Sequence, residues 1–94
     1  MRADYDSEGK TLQIELEPVD RLDRSDDETH PRAIVGLLDG RPVLIDVLGL
    51  TALEETLAAV AGRYGLDADA LAAAAHAALR VPHRQIEFEV AGRV

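Results

Sequence analysis

The chain has 94 residues, 47% hydrophobic and 30% charged, a composition typical of one folded domain rather than of a disordered segment. It contains no cysteine, which excludes disulfides, thiolate metal sites and a cysteine nucleophile. Ten basic and 18 acidic residues give a formal net charge of −8, and the only aromatic residues are two Tyr and one Phe. Proteins bind nucleic acids through basic surfaces and aromatic platforms, so nucleic acid is not an expected partner.

No apolar stretch approaches the roughly 18 residues that cross a bilayer, and charged residues stand in Met1–Asp4 where a leader would begin. We therefore expect a cytoplasmic protein with a single domain, residues 1–94, and no membrane partner. Residues 1–30 hold ten acids and four bases (net −6), whereas residues 31–94 hold eight acids and six bases (net −2). The acidic N-terminal part is either a solvated surface or a face for a basic protein.

The N-terminal residues predict a β-hairpin. Thr11–Glu17 alternates strictly between apolar and polar residues, which is typical of a half-buried strand. Asp6–Lys10 before it has the composition of a turn, so a short strand ending near Tyr5 should pair with this strand. The following segment, residues 18–31, is polar and acidic, and predicts a mobile loop.

Residues 33–48 predict a second hairpin, because Asp39-Gly40 separates two apolar runs and suits a type I′ turn. If Leu38 pairs with Arg41, regular pairing places Gly36 opposite Val43, and both faces of the hairpin are apolar. One face then holds the candidate subunit interface, Val35, Leu37, Leu44 and Leu48. The alternative is that the chain's own helices or its first hairpin cover that face.

Two helices are predicted next. Thr51–Glu54 has the spacing of a capping box, and apolar residues recur at helical spacing from Leu53 until Gly65 can end the helix. Asp67 can cap a second, alanine-rich helix that runs to about Leu79.

Pro82 ends the second helix, and Gln85–Val90 alternates as a closing strand. The predicted order is β-β-β-β-α-α-β. This order defines an α+β fold, a mainly antiparallel sheet with both helices packed on one face.

The N-terminal half resembles a known family. Tyr5-Asp6, the apolar positions of residues 12–16, Ala33-Ile34-Val35 and the alternating run of residues 40–48 are similar to the short bacterial proteins grouped as domain of unknown function 2283. The resemblance covers residues 5–51. It implies a compact β-rich bacterial domain and brings no established activity. Because some members of that family are encoded beside small toxin-like proteins, it also implies an antitoxin-like or partner-binding role as a hypothesis.

Residues that could hold a metal are few. The best local group is Asp26-Asp27-Glu28-x-His30, but it lacks the alternate oxygen ligands and the central glycine of a calcium loop. His76 and His83 lie apart and do not have metal-binding spacing, so we expect surface or capping histidines. We therefore predict no metal site and no cofactor.

Catalytic motifs are also absent. Ser7 and Ser25, the only serines, stand outside a G-x-S-x-G sequence, and no glycine-rich phosphate loop occurs. The sequence predicts a non-enzymatic protein-interaction module that forms a homo-oligomer or binds a small protein partner. Two alternatives stay open: an antitoxin-like acidic partner of a basic protein, and a small-molecule or enzyme site shared between subunits.

Overall fold

The structure, a computed structural model, describes residues 1–81 and the backbone of residues 86–87. Its elements are β1 (Arg2–Asp6), β2 (Thr11–Glu15), β3 (Arg24–His30), β4 (Ala33–Leu38), β5 (Arg41–Leu48), α1 (Leu53–Tyr64), α2 (Ala68–Arg80) and β6 (Ile86–Glu87). The strands form one antiparallel sheet in the order β3-β4-β5-β2-β1-β6. The predicted α+β class, with two helices packed on a mainly antiparallel sheet, is confirmed.

The first hairpin forms as the alternation predicts. β1 and β2 pair with Tyr5 opposite Leu12, and the Asp6 carboxylate accepts backbone N–H groups of Glu8 and Gly9 within the turn. Leu12 and Ile14 are fully buried, while Gln13 between them is exposed. β2 also pairs with β5, so this strand lies inside the sheet.

The prediction of a loop throughout residues 18–31 is wrong, because residues 24–30 form the edge strand β3. Most side chains of β3 are exposed, so its sequence lacks the apolar alternation that reveals a half-buried strand. β3 pairs with β4, and the register shifts between Asp26 and His30. Backbone pairing with β4 therefore holds β3 in the sheet, although the side chains of β3 bury little apolar surface.

The second hairpin turns at Asp39-Gly40 as predicted, with φ of 54° and 80°. Its predicted register holds only next to the turn, where Leu38 lies opposite Arg41. A shift then places Gly36 opposite Leu44 instead of Val43. The extra residue on β5 lies beside Pro42, which has no N–H to donate and is tolerated in sheets at such irregularities.

The helices begin and end largely as predicted. The Asp67 carboxylate accepts the Ala70 N–H at 3.1 Å, and Gly65 ends α1 with φ of 69°. The predicted capping box is wrong: α1 begins after Ala52, which has φ of 57°, and no side chain caps it. The Thr51 side chain therefore does not start the helix.

The core lies between the helices and one face of the sheet. The sheet contributes Ala3, Leu12, Ile14, Ala33, Val35, Leu37, Ile45 and Val47, and the helices contribute Leu53, Leu57, Val60, Ala61, Leu71, Ala74, Ala75 and Ala78. α1 packs against β3, β4 and β5, whereas α2 packs against β1, β2 and β6. None of the helices in the described part of the chain is long and apolar enough to cross a membrane.

The predicted closing strand is described only at β6, where Ala3 of β1 lies opposite Ile86. The predicted helix stop at Pro82, His83 and the remainder of Gln85–Val90 lie outside the described residues.

Candidate functional site

One face of the sheet packs against the helices, and no helix of residues 1–81 covers the other, which we call the open face. Ile34, Leu44 and Leu48 alternate with buried core residues along β4 and β5, so their side chains point to the open face. Leu48 is 40% exposed. These aliphatic side chains lie on β4 and β5, two neighbouring interior strands of the sheet, away from the core.

A glycine in β4 enlarges this apolar region. A Cβ atom at Gly36 would lie 2.8 Å from Leu22 Cδ1 and 3.3 Å from Leu44 Cβ. The missing side chain therefore lets Leu22 rest on the sheet beside Leu44. The Asp23 N–H donates to the Leu37 carbonyl oxygen at 3.0 Å and holds this segment in place. We call Leu22, Ile34, Leu44 and Leu48 the apolar patch.

Polar side chains lie within and beside the apolar patch. Asp46 lies between Leu44 and Leu48 along β5 and opposite Ile34 on β4, and its Oδ1 accepts Gln13 Nε2 at 3.1 Å. Glu15 lies opposite Leu44 and forms an ion pair with Arg2 at 3.7 Å. Protein-protein interfaces combine aliphatic side chains with polar and charged groups that are hydrogen-bonded, as Asp46 is to Gln13.

The structure separates the four residues predicted to share an interface. Val35 and Leu37 point into the helix-covered core, where they are 0% and 7% exposed. Leu44 and Leu48 point to the open face. The grouping on one face is therefore wrong, because the register shift at Gly36 changes which residues of β4 and β5 share a side.

A concave region lies between β3 and the end of α1. It is an open depression of about 330 Å³, lined by Arg24, Ser25, Asp26, Asp27, Glu28, Leu37, Arg63 and Tyr64. Charged groups of both signs dominate its walls, and Leu37 is the one aliphatic lining residue. Ligand sites are typically apolar with a few polar groups, so this depression does not resemble one.

Asp26 links the edge strand to α1. Its carboxylate accepts the hydroxyl groups of Thr29 and Tyr64 and the Glu28 N–H. The Thr29 bond, then the Tyr64 and Glu28 bonds, hold the pKa of the Asp26 carboxyl well below its usual range. Burial, followed by the bond to Asp26, raises the pKa of Tyr64. The Tyr64 bond fastens β3 to α1, and the Glu28 and Thr29 bonds lie within β3, which gives Asp26 a structural role.

Replacing Asp26 with asparagine should lower stability at neutral pH and flatten its dependence on acid. Because the pKa of Asp26 is depressed in the folded state, its charge stabilises the fold above the unfolded pKa of about 4. That contribution is lost as pH falls below this value towards the folded pKa. As the pH is lowered from neutral to acidic, the melting temperature should therefore fall more steeply for the unmodified protein than for Asp26→Asn.

The matched control is Asp27→Asn, which removes the same charge from the neighbouring exposed residue of β3. It should follow the unmodified protein closely. Identical acid slopes for Asp26→Asn and Asp27→Asn would show that the bonds to Thr29 and Tyr64 do not stabilise the fold.

The two described histidines pair with acids of the first turn of α1. His30 Nε2 lies 3.3 Å from Glu55 Oε2, and His76 Nε2 lies 3.2 Å from Glu54 Oε2. His30 Nδ1 accepts the Arg32 N–H at 3.1 Å. Within residues 1–81, no three His, Asp or Glu side chains are grouped closely enough to hold a metal ion.

The fold and the apolar patch define the class: an α+β domain with one helix-covered sheet face and one face that carries the apolar patch. No protein-family model matches the chain, and no curated protein or solved structure matches it. The resemblance of residues 5–51 to the domain of unknown function 2283 family stays a prediction.

Proposed function

We propose that this protein is a non-enzymatic, cytoplasmic protein-interaction module whose open face binds a second copy of the chain. The observation that supports the proposal is the apolar patch, which lies outside the helix-covered core. Exposed aliphatic area favours association because each Å² removed from water contributes about 25 cal/mol. Clustered on one sheet face, these side chains offer a flat surface that another sheet can cover.

The charges around the patch favour a second copy over a polyanion or an uncharged surface. Both signs occur at its border, in the ion pairs of Arg2 with Glu15 and of Arg41 with Glu17. In a two-fold interface the same surface is used twice, so a border with both signs can complement itself. Two antiparallel sheets stack at about 10 Å with their strands nearly aligned, which would bury the patch from both sides.

The test is Leu44→Lys, with the mass in solution measured by light scattering behind size exclusion. Lysine at position 44 would lie opposite Glu15, so the strand keeps a favourable cross-strand pair. It would also place a charged side chain in the centre of the proposed interface, where binding of the second copy would remove it from water, and association should be lost. Far-UV circular dichroism should show an unchanged helix content.

The control is Ala73→Lys, at an exposed position of α2. It adds the same charge away from the open face and should leave the mass of the assembly unchanged. If Leu44→Lys associates as tightly as Ala73→Lys, the open face is not the interface.

The edge strand supports one second candidate, an acidic module that binds a basic protein as an antitoxin does. β3 presents Asp27 and Glu28 as exposed side chains on the outermost strand of the sheet. Binding carried by these charges would weaken steeply with added salt. A self-association through apolar side chains would persist in high salt, and this difference separates the two candidates.

A further inference from the structure

One acidic side chain lies inside the apolar patch. Asp46 stands between Leu44 and Leu48 along β5, and it lies opposite Ile34 of β4. Its side chain points to the open face, because its two neighbours in β5 are buried in the core. Any partner that covers these three aliphatic side chains must therefore also cover the Asp46 carboxylate.

The charge of Asp46 has no opposite charge beside it. Its Oδ1 accepts the side-chain N–H of Gln13, a neutral group, at 3.1 Å. Among the residues that the structure describes, no Lys, Arg or His forms an ion pair with Asp46. The side chain is half-buried, so water still reaches it in the single chain. One neutral hydrogen bond and this water stabilise the carboxylate.

The neighbouring strands do not supply a cation either. Glu15 lies diagonally across β2 from Asp46 and pairs with Arg2 at 3.7 Å. Asp4 of β1 lies in the same cross-strand row as Asp46, beyond the glutamine. On the other side, Arg32 precedes β4 and donates its Nη1 to a backbone carbonyl of β5 at 3.2 Å. A second copy that covers Asp46 would therefore remove the carboxylate from water without pairing it.

We propose that self-association through the open face is coupled to proton uptake by Asp46, so that the dimer is stronger at mildly acidic pH. This inference rests on the proposed function and adds the regulation of the same surface. A carboxylate that is removed from water without a cation takes up a proton rather than staying charged. The charged form is disfavoured in the dimer but not in the free chain, so the dimer binds the proton more tightly. Lower pH then favours the dimer, and the charge at neutral pH opposes it.

The test is Asp46→Asn, with the dissociation constant of the dimer measured by sedimentation equilibrium. Asparagine has nearly the same shape, and its Oδ1 can still accept the Gln13 N–H, so the variant removes the charge alone. It should associate at least about tenfold more tightly than the unmodified protein at pH 7.5. Between pH 7.5 and about 5, the unmodified dimer should tighten about tenfold, whereas the affinity of Asp46→Asn should change little.

The matched control is Asp4→Asn, which removes the same charge from the same row of the open face, two strands away from the patch. It should keep the pH dependence of the unmodified protein. Equal effects of Asp4→Asn and Asp46→Asn would mean that general repulsion between acidic surfaces controls association, and would overturn the role of Asp46. The pH range stays above about 4, where the stabilising charge of Asp26 begins to be lost, so the fold is intact throughout.

The outcomes separate this inference from the proposed function. A protein that dimerises and loses association with Leu44→Lys, but whose Asp46→Asn variant keeps the affinity and pH dependence of the unmodified protein, overturns the proton coupling alone. If the unmodified protein and Asp46→Asn both stay monomeric at every concentration and pH, both proposals are overturned. Should Asp46→Asn fail to fold, the pH dependence of the unmodified protein and of Asp4→Asn remains the test, and equal dimer affinity at pH 7.5 and 5 would overturn the coupling.

Discussion

Replacing Leu57 with alanine is expected to lower the free energy of unfolding by about 3 kcal/mol. Leu57 is 1% exposed and lies in the core between α1 and the sheet. Removing its isopropyl group loses the transfer free energy of those atoms and leaves a cavity between rigid elements. A domain of this size is stable by about 5–15 kcal/mol, so this loss is a large share of its total stability. It is the largest single effect that we expect.

Urea unfolding followed by circular dichroism measures this difference. Leu50→Ala is the matched control, because it removes the same group from a side chain that is 38% exposed. The control should cost less than about 1 kcal/mol. Equal losses for Leu57→Ala and Leu50→Ala would contradict the placement of Leu57 in the core.

Replacing Ala75 with leucine should cost about 2 kcal/mol, because α2 approaches its neighbours through small side chains. Ala75 is 0% exposed, and Ala74 and Ala78 beside it are also buried. A larger side chain would have to push α2 away from the sheet or adopt a strained rotamer.

The control for this overpacking is Ala73→Leu, at an exposed position of the same helix. Leucine and alanine have similar helix propensities, so the control isolates packing from propensity. Melting temperature is the simplest measurement. If Ala75→Leu melts at the same temperature as Ala73→Leu, the interface between α2 and the sheet has room for a larger residue.

Features set by local backbone chemistry are predictable from the sequence. The Asp39-Gly40 turn forms because both of its positions need positive φ, and the Asp67 cap forms because its carboxylate reaches an N–H three residues on. The apolar alternation of β2 likewise predicts its buried residues Leu12 and Ile14.

The sequence predicts the candidate site only in part, because the register shift in the second hairpin determines which of its residues face the open side. The sequence marks both faces of the central hairpin as apolar, and Leu44 and Leu48 do lie on the open face. The added residue on β5 puts Leu44 and Leu48 on the face opposite to Val35 and Leu37, which lie in the core. In the sequence, Pro42 indicates the register shift, because proline inside a sheet is tolerated at irregularities of this kind.

The part of the site contributed by residues 18–31 was missed because tertiary contacts, not local sequence, determine its structure. β3 is fixed by backbone pairing with β4 and by the bonds of Asp26 to α1. Leu22 joins the apolar patch only because Gly36, fourteen residues later, has no side chain. A single leucine in a polar segment, together with a glycine inside an apolar strand, is the pattern that could have indicated this contact.

The most direct test of the open face as a self-association surface is the solution mass of the unmodified protein, measured by light scattering over a wide concentration range at low and high salt. One chain has a mass of 10.2 kDa. We predict twice that mass, persisting in high salt because apolar burial is not screened by ions. A mass of 10.2 kDa at every concentration and salt level would contradict the proposal.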